Sequence, residues 1–123
     1  MNKLLALKNQ LNNNGIKAEI QTACAGNYFD GTQRGYYYDV LRIEYTPGTL
    51  ETIDKLARRK GCKLTYYNIY SEVAIAATNS DAENAENATK AANIFLDAFF
   101  LALHVGKSQE IALAEGRAAL ANR

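Results

Sequence analysis

The chain has 123 residues, 14 Lys and Arg against 13 Asp and Glu, and a formal net charge of +1. That length suits one domain, with at most an oligomerising appendage, and the charge balance argues against a duplex-DNA partner, which demands an excess of phosphate-neutralising cations. A 48% apolar fraction with a single Pro points to a folded chain, and two Cys with one His are too few for a disulfide framework or a four-ligand zinc site.

In chain order, Asn2 to Asn13 places Leu4, Leu7 and Leu11 at helical spacing, and Asn12-Asn13-Asn14-Gly15 ends that helix. Ile16 to Cys24 alternates, with Ile16, Ala18, Ile20, Thr22 and Cys24 on the face expected to be half-buried. A connection from Ala25 to Gly35 follows, then a strand from Tyr36 to Tyr45. Tyr37, Leu41, Ile43 and Tyr45 share one side of it. Tyr36, Tyr38, Val40, Arg42 and Glu44 share the other, so neither face of the sheet is expected to be fully solvated.

Thr46-Pro47-Gly48-Thr49 opens a second helix, with Pro and Thr suited to its first turn and cap. Leu50, Ile53, Leu56 and Ala57 form its stripe, and Gly61 closes it. Lys63 to Asn68 and Val73 to Thr78 read as a hairpin turning around Tyr70-Ser71-Glu72. The order αββαββ predicts an α+β fold: a small antiparallel four-stranded sheet with two covering helices. The two halves echo each other weakly, as a duplicated unit or by coincidence of helix punctuation.

Ser80-Asp81 then caps a helix running to His104, about 24 residues or about 36 Å. Ala85, Ala88, Ala92, Phe95, Phe99 and Ala102 form a 3-4 seam along it. Ile94, Leu96, Phe100, Leu101 and Leu103 make its second half apolar all round, which requires cover on every side. Gly106 breaks it, and Ser108 caps a last helix to about Ala121 with a stripe of Ile111, Ala114, Ala118 and Ala121. The expected division is a sheet domain over 1–79 and a two-helix tail over 80–123, with residues 81–123 carrying homo-oligomerisation.

Leu4 to Leu7 is cut short by Lys8, Asn9 and Gln10, below the roughly 7–15 apolar residues of a signal peptide. Ala91 to Val105, the most apolar stretch, falls short of the roughly 20 residues that span a bilayer. A cytoplasmic location without a membrane partner is expected, with Cys24 and Cys62 reduced.

No residue pattern demands catalysis. His104 is the one imidazole and lies near a helix end, and Ser71, Ser80 and Ser108 sit in no nucleophile elbow. Cys24 and Cys62 fall on strands, where packing is their expected role. Asp30, Asp39 and Glu44 could meet in space, but no spacing requires it. The expectation is therefore no enzyme, no metal and no cofactor. Gly106-Lys107-Ser108 lacks the first Gly of a phosphate-binding loop, although a helix start flanked by Gly and Lys is an anion site by geometry. Arg58 and Arg59, beside Lys60, offset a helix C-terminus or, gathered by symmetry, make a second possible anion site.

The densest functional signal lies between Asn27 and Tyr45: Tyr28, Phe29, Tyr36, Tyr37, Tyr38 and Tyr45 with Arg34 and Arg42 around Gly31 and Gly35. Tyrosines on strands often only pack. Here they line both faces, beside a connection longer than a hairpin needs. Aromatic rings stack nucleobases, and Arg grips phosphate through two parallel bonds.

The segment Phe29-Asp30-Gly31-Thr32-Gln33-Arg34-Gly35-Tyr36-Tyr37-Tyr38-Asp39-Val40, with a small sheet and a helical C-terminal tail, resembles phage Thoeris anti-defence proteins of the first type, the Tad family. The resemblance covers size and architecture over most of the chain. It implies a homo-oligomeric sponge that sequesters a small nucleotide-like ligand, a cyclic ADP-ribose-type immune signal, between protomers without cleaving it. In that case Tyr28, Phe29 or Tyr36 would stack the adenine, Arg34 with Lys107 would hold the diphosphate, and Asn87 and Asn93 would bond ribose hydroxyls. Two other readings stand beside it: a protein inhibitor or adaptor using the tyrosine-rich hairpin as its contact surface, and a structural oligomer with its tyrosines buried.

Overall fold

The computed structural model describes residues 2–26 and 35–122. Its elements are α1 (Lys3–Asn13), β1 (Ala18–Ala25), β2 (Tyr36–Glu44), α2 (Leu50–Arg59), β3 (Cys62–Asn68), β4 (Val73–Thr78), α3 (Asn79–His104) and α4 (Gln109–Ala121). This is the α+β order read from the sequence. The four strands form one sheet in the order β1-β2-β4-β3, with β4 antiparallel to both β2 and β3. The chain divides into two compact units, Met1–Ala23 with Tyr38–Glu83, and Cys24–Tyr37 with Asn84–Arg123.

In the first unit, the Asn2 side chain accepts from the backbone N–H groups of Leu4 and Leu5 and so starts α1. Leu4, Leu7 and Leu11 of α1 pack with Ile53, Leu56 and Ala57 of α2 onto Leu41, Ile43, Ala74 and Ala76 of the sheet. Leu41 pairs with Ala76 and Ile43 with Ala74, so these four share one face. Both helices cover that face. Each fully buried Leu or Ile contributes about 1.5–3 kcal/mol. On the opposite face Val40, Ala77 and Ala82 are buried, with Tyr38, Ile75 and Ala23 against them. The apolar second face of β2 is thus covered by the first turns of α3.

Three local details differ from expectation. Thr49 stands at the cap position of α2, but its backbone is helical (φ −95°, ψ −13°) rather than extended, and its side chain caps nothing. Instead its Oγ1 donates to the Thr46 carbonyl at 2.7 Å and accepts from the Thr46 N–H, closing the Pro47-Gly48 loop. The α3 cap is Thr78, two residues before Ser80: Thr78 Oγ1 accepts from the Asp81 N–H at 3.3 Å, so the helix grows directly out of β4. On β1 only Ala18 is buried, while Ile20, Thr22 and Cys24 are exposed. As an edge strand, β1 has neighbours on one side only.

The β3–β4 turn lacks a Gly at its tip. It is held by Asn68, whose Oδ1 accepts from the N–H groups of Tyr70 and Ser71. Glu72 then takes a left-handed backbone at φ 55°. β3, the other edge, carries an irregularity between Leu64 and Tyr66, a device that discourages further strand pairing.

In the second unit, Ala85, Ala92, Phe95, Phe99 and Ala102 are buried along the expected α3 seam. The Phe95 and Phe99 rings stack, with centroids 5.9 Å apart. Gly106, at φ 90°, ends α3: its N–H donates to the Leu103 carbonyl and that of Lys107 to the Ala102 carbonyl. Ser108 caps α4, accepting from the Ile111 N–H at 3.3 Å. The α4 stripe is a correction. Ala112 and Gly116 are the buried positions, with Leu113 and Leu120 packed beside the cluster, whereas Ile111, Ala114, Ala118 and Ala121 face solvent. The Phe95 ring fills the space left by the missing side chain of Gly116, which turns that side of the helix, and not the expected stripe, toward α3.

Candidate functional site

Tyr28, Phe29 and Arg34 lie outside the described residues, as does Asp30. Gly26, just past β1, lies so close to α3 that a Cβ on it would stand 2.6 Å from the Ala88 carbonyl oxygen, and its φ of +82° suits glycine. Tyr36, at the start of β2, accepts a 3.3 Å hydrogen bond on its hydroxyl from Asn84 Nδ2. Gly26 and Tyr36 therefore both meet the same turn of α3, between Asn84 and Ala88. Asn87 belongs to this turn and is exposed.

The other expected ligand residues are placed differently. Asn93 is nine residues beyond Asn84, or about 900° around the helix, so it faces the opposite side. Lys107 pairs with Glu115. Tyr37 points away from Tyr36, as strand alternation requires, and is 65% exposed.

The basic cluster separates. Arg58 Nε bonds Asp54 Oδ2 at 3.0 Å, one helical turn back. Arg59 instead lines a cavity of about 390 Å³ with Lys3, Ala6, Lys60 and Gly61. Nearby, burial pushes the Cys62 thiol pKa up, and the Lys3 charge partly opposes this. Cys24, by contrast, is exposed. Of the carboxylates considered for acid–base work, Glu44 is engaged by Arg42 at 3.0 Å and by Lys17 at 3.9 Å, and Asp39 is exposed. Among the described residues no group of His, Cys, Asp and Glu could hold a metal ion, and no helix is long and apolar enough to cross a membrane.

Sequence reasoning missed the aromatic edge of β3. Tyr66 and Tyr67 line a groove of about 630 Å³ with Leu50, Glu51, Asp54, Leu64 and Thr65. Tyr70, in the following turn, is 94% exposed. The available signal was the consecutive pair Tyr66-Tyr67: neighbouring strand residues point to opposite faces, so both cannot enter one core. A further exposed apolar set, Phe100, Leu101 and Val105 at the end of α3 and Ile111 at the start of α4, remains uncovered in the single chain.

Comparison of the chain with protein-family models, curated proteins and solved structures finds no match.

Proposed function

We propose that this chain is a non-catalytic binding protein of the phage anti-Thoeris kind. It sequesters a cyclic ADP-ribose-type immune signal in pockets between copies of itself, in the cytosol of the infected cell. The carrying observation is the convergence of Gly26 and Tyr36 on the Asn84–Ala88 turn of α3. That arrangement gathers a tyrosine, two amides and a backbone stripped of side chain, which are groups able to stack a base and bond ribose hydroxyls. Tyr36 and Asn87 are the described residues assigned to the ligand. Asn84 joins them by orienting the Tyr36 hydroxyl. Lys107 serves the diphosphate only by exchanging its Glu115 partner.

Exposed Phe100, Leu101, Val105 and Ile111 supply the surface for self-association. Leu101 is 64% exposed despite a wholly apolar side chain. Native mass spectrometry with a panel of cyclic ADP-ribose isomers tests the reading. The expected result is a discrete oligomer that retains unmodified nucleotide, with affinity lowered about 5- to 150-fold in Tyr36→Ala, the equivalent of about 1–3 kcal/mol for a stacked base. Leu101→Glu should dissociate the oligomer. An oligomer that binds no member of the panel overturns the sequestration reading.

The exposure of Tyr66, Tyr67 and Tyr70 favours a second reading, inhibition or adaptation of a protein partner. It moves the contact surface from the tyrosine-rich hairpin to the β3–β4 hairpin. Loss of counter-defence activity in Tyr70→Ala, with nucleotide binding intact, would support it.

A further inference from the structure

Six cations among the described residues are ion-paired: Lys17, Arg42, Lys55, Arg58, Lys90 and Lys107. Lys3, Arg59 and Lys60 take part in none of these pairs, yet they meet around one cavity of about 390 Å³ that no described carboxylate lines. Like charges that share one rim repel one another unless water or an anion screens them, so this described lining favours an anion.

Helix stabilisation does not account for the set. Cations near the end of α2 offset its C-terminal dipole, which covers Arg59 and Lys60. Lys3 is in the opposite situation. It opens α1, at the positive end of that dipole, and the first turn of α1 contains no acidic residue. Its side chain lies across Gly61, where an added Cβ would come within 3.1 Å of both Lys3 Cδ and Nζ. The missing side chain at Gly61 thus admits the Lys3 ammonium to the cavity rim. Arg59 adds a planar fork able to hold two oxygens of one phosphate group.

We propose that Lys3, Arg59 and Lys60 form a binding site for a diphosphate group. Three cations match the two to three negative charges of such a group, and the cavity falls in the range of about 300–1,000 Å³ typical of small-molecule sites. All three residues belong to the first unit, whereas Tyr36 and Asn87 belong to the second. The site is therefore independent of the sequestration reading and can fail without it.

The test is isothermal titration of the full chain with inorganic pyrophosphate at low salt. One saturable site per chain is expected, weakened about tenfold or more in each of Lys3→Ala, Arg59→Ala and Lys60→Ala, the loss of one charge-assisted hydrogen bond. Lys63→Ala, which removes an exposed cation outside the cavity, should change affinity less than about twofold. Substitutions at three separate surface positions guard against one misfolded variant, and thermal melts confirm that each folds. Absence of saturable pyrophosphate binding overturns the site. So does a Lys63→Ala loss equal to the other three, which would reduce the effect to overall charge. Nucleotide binding that is lost in Tyr36→Ala while pyrophosphate binding persists separates the two sites.

Discussion

Gly116 of α4 sits directly beneath the ring of Phe95 in α3: a Cβ placed on it would lie 2.7 Å from both Cδ2 and Cε2 of that ring. Phe95 is fully buried and stacked on Phe99, so it has no free direction in which to retreat. Gly116→Val should therefore destabilise the chain by about 1–3 kcal/mol, the usual cost of overpacking, despite the better helix propensity of Val over Gly. Urea unfolding followed by circular dichroism measures it; an unchanged midpoint would contradict this packing.

Gly26 and Gly48 form a controlled pair. Both have left-handed backbones, at φ +82° and +90°, but a Cβ at Gly48 meets nothing within 4 Å while one at Gly26 strikes the Ala88 backbone. Gly48→Ala should lose only the conformational term, about 1–2 kcal/mol. Gly26→Ala should lose that amount and more, because a helix backbone cannot yield as a side chain can. Equal losses in the two variants would mean that Gly26 does not rest on α3.

Glu72 offers a gain instead of a loss. Its φ of 55° carries left-handed strain of about 1–2 kcal/mol, against an entropic cost of about 0.5–1 kcal/mol for glycine. Its carbonyl accepts from the Tyr45 N–H at 2.9 Å, a bond that survives any substitution of the side chain. Glu72→Gly should thus stabilise the chain by about 0.5–1 kcal/mol, visible as a raised melting temperature.

The two cysteines should react in sequence. Exposed Cys24 should be alkylated at once at pH 8, and buried Cys62 only as fast as the chain opens. Burial raises the Cys62 pKa above its ordinary 9.0, so between the unfolded and folded values the folded chain holds the extra proton. Stability from this group is complete below about pH 9 and declines as pH rises through that window. Comparing urea midpoints at pH 8 and pH 10 with those of Cys62→Ala isolates the effect, since the variant lacks this part of the decline.

Much of the architecture is legible in the residue order. The β4 limits, the α3 seam, the Ser108 cap and both apolar faces of β2 follow from periodicity and punctuation, which depend on residues within a turn or two of one another. The failures have equally local descriptions. Thr49 has the right chemistry for a cap but the wrong backbone angle. The stripe of Ile111, Ala114, Ala118 and Ala121 is the more regular pattern on α4, yet Gly116 supplies the space that Phe95 demands. At the candidate sites, Arg58 and Arg59 are adjacent in sequence, but helix geometry hands one to Asp54 and turns the other toward Lys3.

The sequence by itself determined the element order, the α+β class and the residue types available to a ligand, because hydrogen-bonding periodicity and breaker residues act over short separations. Only the tertiary structure decided that Gly26 and Tyr36 converge on one turn of α3 and that Lys3 meets Arg59 and Lys60. Each meeting joins parts of the chain dozens of residues apart, β1 and β2 with α3 and Lys3 with the end of α2, and what brings them together is the shape of packed side chains, a property that no local pattern records.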